Sequence, residues 1–138
     1  MNRSYLFVPA DSERKLKRAG QAGADALILD LEDSVAADAR PAAREQACGY
    51  LEGRDNAWVR INPLDTDHAD ADLEAVMPAA PAGIVLPKAE SGQDITHIQH
   101  SIGFVQDEHF DTRQVDGAIA RQIEEAARAS NNDLCTAP

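Results

Sequence analysis

The first 95 residues alternate between short apolar runs and amphipathic stretches. The apolar runs lie at residues 5–8, 26–29, 58–61 and 83–86. A short run that is apolar at every position, such as residues 26–29, is typical of a strand buried on both faces of a parallel sheet. The sequence therefore predicts four β-strands.

Helices are predicted between these strands at residues 11–22, 41–51 and 70–76. Ser12 is a suitable N-cap for the first, and Pro41 occupies the first turn of the second. Successive strands are about 20 to 30 residues apart, which is the usual size of a βα unit. The pattern predicts an α/β fold with parallel strands, and both a barrel and an open doubly wound sheet fit it. No G-x-G-x-x-G motif follows any strand, which disfavours a dinucleotide-binding sheet.

Beyond residue 95 the alternation stops. Residues 96–114 are polar, carry three histidines and contain only a weak strand candidate around residues 102–105. Residues 115–129 have apolar side chains at helical spacing and predict a helix. We therefore divide the chain into an N-terminal part, residues 1–95, and a divergent tail, residues 96–138.

Composition narrows the class of protein. The 138 residues suffice for one domain, and 43% hydrophobic with 27% charged residues is typical of a soluble globular chain. A net charge of -11 argues against nucleic acid or an anionic membrane surface as partner. The sequence has no apolar run of membrane-spanning length and no signal-peptide pattern, and its two cysteines lie far apart. We expect a reduced, cytoplasmic protein.

Polar side chains cluster where three of the predicted strands end, which is where parallel βα folds gather their ligand-binding groups. They are Asp30, Glu32 and Asp33 after the second strand, Arg60 and Asn62 at the end of the third, and Lys88 after the fourth. Carboxylates suit Mg²⁺, an arginine clamps a substrate carboxylate, and a lysine stabilises an enolate or binds a carboxylate. The cluster predicts a site where a small acid is polarised by a metal and a carbon–carbon bond is cleaved or formed. The structural alternatives are a strand-end ion pair for Asp30 and a helix cap for Asp33.

A basic cluster lies on the first predicted helix, formed by Arg14, Lys15, Lys17 and Arg18. Four such charges on one helix form either a solvated face or a site for one anionic ligand. The residues alone do not decide between these two interpretations.

Four ordered segments resemble one family. They are RSYLFVP at residues 3–9, LDLEDSV at 29–35, VRIN at 59–62 and LPKAES at 86–91. Together they are similar to the citrate lyase β-subunit family, part of the HpcH/HpaI aldolase class. The similarity covers about the first 95 residues, and its second and fourth segments are highly specific.

This resemblance implies a TIM-type (β/α)₈ barrel that assembles as a trimer or hexamer, of which this chain holds the first four βα units. It implies Mg²⁺-dependent cleavage of a 3-hydroxyacyl-CoA to an acyl-CoA and an oxo acid. Citryl-CoA, malyl-CoA and citramalyl-CoA are the substrates of that type. The partners expected from the resemblance are therefore a CoA thioester, a small oxo acid and further copies of the chain.

The resemblance also implies roles for single residues. Arg60, with Asn62 beside it, binds the substrate carboxylate, and Lys88 stabilises the enolate. The remaining site residues are the carboxylates that support the metal-bound water, namely Asp30, Glu32 and Asp33, and the weak CoA-binding candidates Arg14, Lys15 and Arg18.

The sequence departs from the family after Ser91. The family's direct magnesium ligands, a Glu and an Asp, come from later strands, and no later segment here resembles those strands. Asp107, Glu108 and Asp111 are acidic but lie in no matching motif. We expect a truncated or frame-shifted gene, an internal deletion, or two chains that pair as half barrels.

Three functional hypotheses follow. The first is the CoA-thioester lyase, and the second is a non-catalytic remnant that acts as an oligomerisation or binding module. The third is a metal-dependent aldolase that acts on free oxo acids, which absence of CoA binding would indicate.

Overall fold

The computed structural model describes residues 2–109, which form alternating strands and helices. The strands are β1 (Tyr5–Pro9), β2 (Ala26–Asp30), β3 (Ala57–Arg60) and β4 (Ile84–Val85); the helices are α1 (Glu13–Ala19), α2 (Arg40–Leu51), α3 (Ala69–Val76) and α4 (Gly92–His109). No helix within residues 2–109 is both long and apolar enough to cross a membrane. All four predicted strands and the three helices between them are confirmed, although α1 ends at Ala19 rather than near residue 22.

The prediction of a strand around residues 102–105 is wrong, because α4 runs through it. Ser91 and Asp94 explain the start of this helix, since the Asp94 carboxylate accepts bonds of 2.9 Å from the backbone N–H groups of Glu90 and Ser91. Ile98 and Ile102, four residues apart, are both buried in the core, as one face of a helix requires. The predicted boundary at residue 95 falls inside α4, and the predicted helix at 115–129 lies outside the described residues.

The four strands form one parallel sheet in the order β1-β2-β3-β4. Each strand is thus hydrogen-bonded to its neighbour in sequence. An open doubly wound sheet reverses this order at its switch point, whereas a barrel adds strands continuously in one direction. The observed order over the described strands is that of barrel winding.

The two faces of the sheet have different surroundings. One face carries Val8, Leu29 and Val59, which pack in a single core with apolar side chains of all four helices. The opposite face carries Phe7, Ile28 and Trp58, which are register partners across β1, β2 and β3. Within residues 2–109 no side chain of this second face belongs to that cluster; Ile28 in its centre is 6% exposed, whereas Phe7 beside it is 50% exposed. The described helices therefore cover one side of the sheet.

The register sets the position of the candidate site. Pro9 is aligned with Asp30, Asp30 with Arg60, and Arg60 with Val85. These residues lie in one row at the carboxyl ends of the strands, on the face that the helices leave uncovered. Parallel pairing thus brings together side chains that are 30 residues apart in sequence.

Candidate functional site

Arg60 and Asp30 form a bidentate ion pair at this edge. The Arg60 Nε donates to Asp30 Oδ1 at 2.8 Å, and Nη2 donates to Oδ2 at 2.7 Å. The side chain of Asp30 is 3% exposed and that of Arg60 is 20% exposed. Because both partners are largely removed from water, the geometry of this pair is fixed more firmly than that of a surface pair. The pairing predicted as a structural alternative for Asp30 is therefore present, and its partner is the predicted catalytic arginine.

The loop after β2 closes around the same carboxylate. The backbone N–H of Glu32 donates to Asp30 Oδ1 at 3.0 Å, and that of Ser34 donates to Oδ2 at 3.2 Å. The Ser34 hydroxyl donates a further short bond to Oδ2. Burial raises the pKa of Asp30, but bonds from Arg60, Ser34 and the Glu32 backbone outweigh it and lower this pKa below 3.8.

Glu32 is the second buried carboxylate, with a side chain that is 4% exposed. Lys88 Nζ lies 2.8 Å from its Oε1, and Arg60 Nη1 lies 3.3 Å from its Oε2. Neither oxygen accepts a well-directed hydrogen bond in the described part of the protein, so these contacts act mainly through charge. Asp33 is 66% exposed and lies 3.7 Å from Arg60 Nη1. The structure therefore brings together all five predicted catalytic side chains.

Lys88 reaches Glu32 from a backbone conformation that is unusual for a residue with a side chain. Its φ is +53°, in the left-handed region. The pKa of Lys88 is raised, mainly by the 2.8 Å contact of its ammonium with the Glu32 carboxylate and by the charge of that carboxylate. Backbone strain of this kind concentrates at functional sites, where surrounding contacts hold it in place.

The charge balance leaves this cluster with an excess negative charge. Asp30, Glu32 and Asp33 contribute -3, and Arg60 and Lys88 contribute +2, giving -1. Within residues 2–109, however, no group of three or more His, Cys, Asp or Glu side chains is placed to hold a metal ion. The excess negative charge of the cluster favours a cation nearby. The described side chains do not, however, supply a complete set of direct metal ligands.

Three of the predicted substitute metal ligands lie beyond the described side chains. Asp107 and Glu108 lie in the last turns of α4, and Asp111 lies outside the described residues. Glu32 and Asp33 remain predictions for supporting metal-bound water.

Phe7 belongs to the site and was missed in the sequence. The Arg60 guanidinium carbon lies 5.0 Å from the centre of its ring, within the range of a cation–π contact. The available signal was the alternation of side chains along β1, which puts Phe7 on the same face as Arg60.

The other predicted site residues lie outside the cluster around Arg60. Asn62 is buried, and its amide group donates to the Leu31 carbonyl and to Asp72. Arg14, Lys15 and Arg18 are exposed on α1, and none of them contacts the cluster within the described residues. Lys15 and Arg18 instead border a cavity of about 350 Å³ beside β1.

Protonation of Asp30 is expected to destabilise the protein in acid. Because its folded pKa is lowered, Asp30 contributes stability above its ordinary pKa of 3.8, and this is lost as pH falls through the lower folded value. Asp30→Asn should therefore unfold more easily at neutral pH and depend less on pH below 3.8. Urea unfolding at several pH values measures the free energy of unfolding of both proteins. The prediction is contradicted if this free energy changes with pH by the same amount in the two proteins.

The strained backbone at Lys88 gives a second expectation. Lys88→Gly removes the conformational cost of the positive φ, whereas Lys88→Ala keeps it, and both remove the ion pair with Glu32. The glycine variant should melt about 4 °C higher than the alanine variant. Equal melting temperatures in a calorimetric comparison would show that this backbone is not strained.

The fold and the site define a class of protein. Parallel βα units wound as in a barrel carry, at their strand ends, an arginine held by one buried carboxylate and a lysine held by another. In (β/α)₈ barrels the active site lies at this face, at the carboxyl ends of the strands. The family model described as HpcH/HpaI aldolase/citrate lyase matches residues 3–133, and the chain belongs to this family.

Individual relatives agree with this assignment. Over 97 residues the chain is 40% identical to a (3S)-malyl-CoA thioesterase of Cereibacter sphaeroides, covering 67% of this chain and 34% of the relative. It is 32% identical over 108 residues to the mitochondrial citramalyl-CoA lyase of Homo sapiens, covering 74% and 32% of the two chains. The chain thus spans about a third of the length of these curated relatives.

A solved structure supports the same fold. Protein CitE from Mycobacterium tuberculosis, in complex with magnesium, acetoacetate and coenzyme A, superimposes with a TM-score of 0.64 at 37% identity. The match covers 71% of this chain and 38% of the other. The predicted relationship to citrate lyase β-subunits is confirmed.

Proposed function

We propose that this chain supplies the acid-binding strand ends of a carbon–carbon lyase that cleaves a 3-hydroxyacyl-CoA to an acyl-CoA and an oxo acid. The observation that carries the proposal is the bidentate pairing of Arg60 with Asp30. A guanidinium has five N–H groups, and Asp30 accepts from Nε and from one hydrogen on Nη2. The two Nη1 hydrogens and the other Nη2 hydrogen are not used by Asp30, and Glu32 and Asp33 lie 3.3 and 3.7 Å from Nη1. These hydrogens form the edge proposed to bind a substrate carboxylate, next to Glu32 and Asp33.

The relatives support the substrate class. One is named as a lyase of citramalyl-CoA, and the CitE complex contains coenzyme A and acetoacetate, which is itself an oxo acid. That complex also contains magnesium. We propose Mg²⁺ for this protein too, as the Lewis acid that polarises the oxo group. Since the described residues do not form its direct ligands, we assign no step to the metal.

The described residues support the following roles. Arg60 binds the carboxylate of the oxo acid through its Nη1 end, and Asp30 holds the guanidinium from the Nε side. Cleavage of the carbon–carbon bond leaves a negative charge on the acyl-CoA fragment, as an enolate, and the Lys88 ammonium stabilises this charge. The proton of the 3-hydroxyl group passes to a base, for which Glu32 and Asp33 are the carboxylates nearest to Arg60 Nη1. Return of this proton to the enolate carbon completes the acyl-CoA.

A second candidate is hydrolysis of the thioester bond, which the 40% identity to a malyl-CoA thioesterase favours. Both reactions begin with the same class of substrate and would use the same grip on its carboxylate. They differ in the bond that breaks and therefore in the products. Hydrolysis releases free CoA and a hydroxy acid, whereas the lyase releases an acyl-CoA and an oxo acid.

The test is a product assay on the purified chain. Malyl-CoA, citramalyl-CoA and citryl-CoA are incubated in turn with and without Mg²⁺, and oxo acid and free thiol are measured separately. The lyase proposal predicts oxo acid without free thiol, and hydrolysis predicts free thiol without oxo acid. Binding of CoA and acid without either product would overturn the catalytic proposal and favour a binding module. Turnover of a free hydroxy acid without CoA binding would favour the aldolase.

A further inference from the structure

We propose that Asn62 is a positioning residue, which fixes the loop bearing Asp30 and Glu32 through a buried network anchored by Asp72. The positioning role of Asn62 follows from its hydrogen bonds. Only the identity of the ligand that the loop contacts rests on the proposed function. The resemblance to the family implied that Asn62 touches the substrate. The hydrogen bonds around it point to a different role.

Both hydrogens of the Asn62 amide are already used. Nδ2 donates to the Leu31 carbonyl at 3.0 Å and to Asp72 Oδ2 at 2.7 Å, and Asn62 is 1% exposed. Its backbone N–H donates to the same Asp72 oxygen at 2.7 Å. An amide with both donors satisfied inside the protein has none left for a substrate carboxylate.

Leu31 is the residue between the two buried carboxylates of the site. Its backbone N–H donates to the Arg60 carbonyl at 3.0 Å, and its own carbonyl accepts from Asn62. Arg60, the last residue of β3, therefore holds the N–H of Leu31, and Asn62, two residues further on, holds its carbonyl. Asp30 and Glu32 are thus held in register with Arg60 by the backbone as well as by their ion pairs.

Asp72 gives this network a rigid base. It is fully buried on α3, and Arg44 on α2 donates to its Oδ1 from Nε at 2.7 Å. Arg44 Nη2 also reaches the His68 carbonyl, at 3.4 Å. A buried carboxylate with a charged partner and two further donors is satisfied, and its position is costly to change. The loop is therefore tied to the two helices that pack behind the sheet.

The test compares local and global stability by amide hydrogen exchange. Asn62→Ser removes the donor to Leu31, and we expect the Glu32 and Ser34 amides, which donate to Asp30, to exchange about tenfold faster. Amides in the centre of β2 should change much less. The matched control is Leu51→Val, a core change on α2 away from the loop, which should lower protection throughout without singling out Glu32 and Ser34.

Asp72→Asn keeps the Asn62–Leu31 bond and weakens the anchor, but it also removes the charged partner of Arg44. It should therefore lower protection in general and accelerate the same two amides about threefold beyond that general loss. This second variant decides the question if Asn62→Ser does not fold. Unchanged or uniformly reduced protection in it, or in a folded Asn62→Ser, would overturn the positioning role. Affinity for pyruvate in the presence of Mg²⁺ is measured on the same proteins. Failure of the wild type to bind pyruvate counts against the proposed function, whereas the exchange rates alone decide the role of Asn62.

Discussion

Replacing Arg60 by alanine is expected to lower the free energy of unfolding by about 3 kcal/mol and to abolish binding of an oxo acid. The loss of stability follows because Asp30 and Glu32, both nearly inaccessible to water, lose a shared positive partner. The loss of binding follows because the Nη1 end of the guanidinium is the proposed contact with the substrate carboxylate. Urea unfolding measures the first effect, and calorimetric titration with pyruvate or glyoxylate measures the second.

Arg60→Lys is the control that separates charge from geometry. It keeps one positive charge beside Asp30 but cannot form two parallel bonds to one carboxylate while offering a second edge to another. We expect it to fold with a smaller loss of stability and to bind the oxo acid at least about tenfold more weakly. Unchanged affinity for pyruvate or glyoxylate in either folded variant would remove the role given to Arg60.

Gly83→Ala is expected to destabilise the protein by about 2 to 3 kcal/mol, because the Trp58 ring occupies the space that the added methyl group needs. A Cβ at this position would lie 2.2 to 2.8 Å from three atoms of the Trp58 ring. The φ of Gly83 is outside the left-handed region, so the cost is steric and not conformational. Trp58 is the only tryptophan of the chain, so its fluorescence during urea unfolding reports both the stability and the displaced ring.

A double variant tests the cause. With Trp58→Leu the ring is absent, and adding Gly83→Ala should then cost less than about 0.5 kcal/mol. Circular dichroism replaces fluorescence as the readout in this background. An equal cost in both backgrounds would mean that the clash with Trp58 is not what the glycine avoids.

The strands and the site cluster were predictable because their signals are local. Each strand is a short apolar run, and Asp30, Arg60 and Lys88 each follow or end one of them. Parallel pairing places strand ends together whatever the residues are, so position along the chain was enough to predict a shared site.

Features that depend on contacts distant in sequence were not predictable. The bidentate pairing of Arg60 with Asp30, rather than with substrate alone, depends on register, and the buried bonds of Asn62 depend on how α3 packs. The helix α4 was missed because its buried face is narrow: Ile98 and Ile102 are separated by polar residues that hide the helical period. The alternation along β1 predicts the face on which Phe7 lies, but its contact with Arg60 reaches across β2 and depends on the strand order and register.

The most direct test of the acid-binding site is a thermal melt with increasing pyruvate and constant Mg²⁺, for the wild type and for Arg60→Lys. Only binding to the folded state raises the midpoint. We expect the wild-type midpoint to rise with pyruvate concentration, and Arg60→Lys to need about ten times more pyruvate for the same rise. A cooperative wild-type melt that pyruvate does not move, or equal shifts in both proteins, would contradict it.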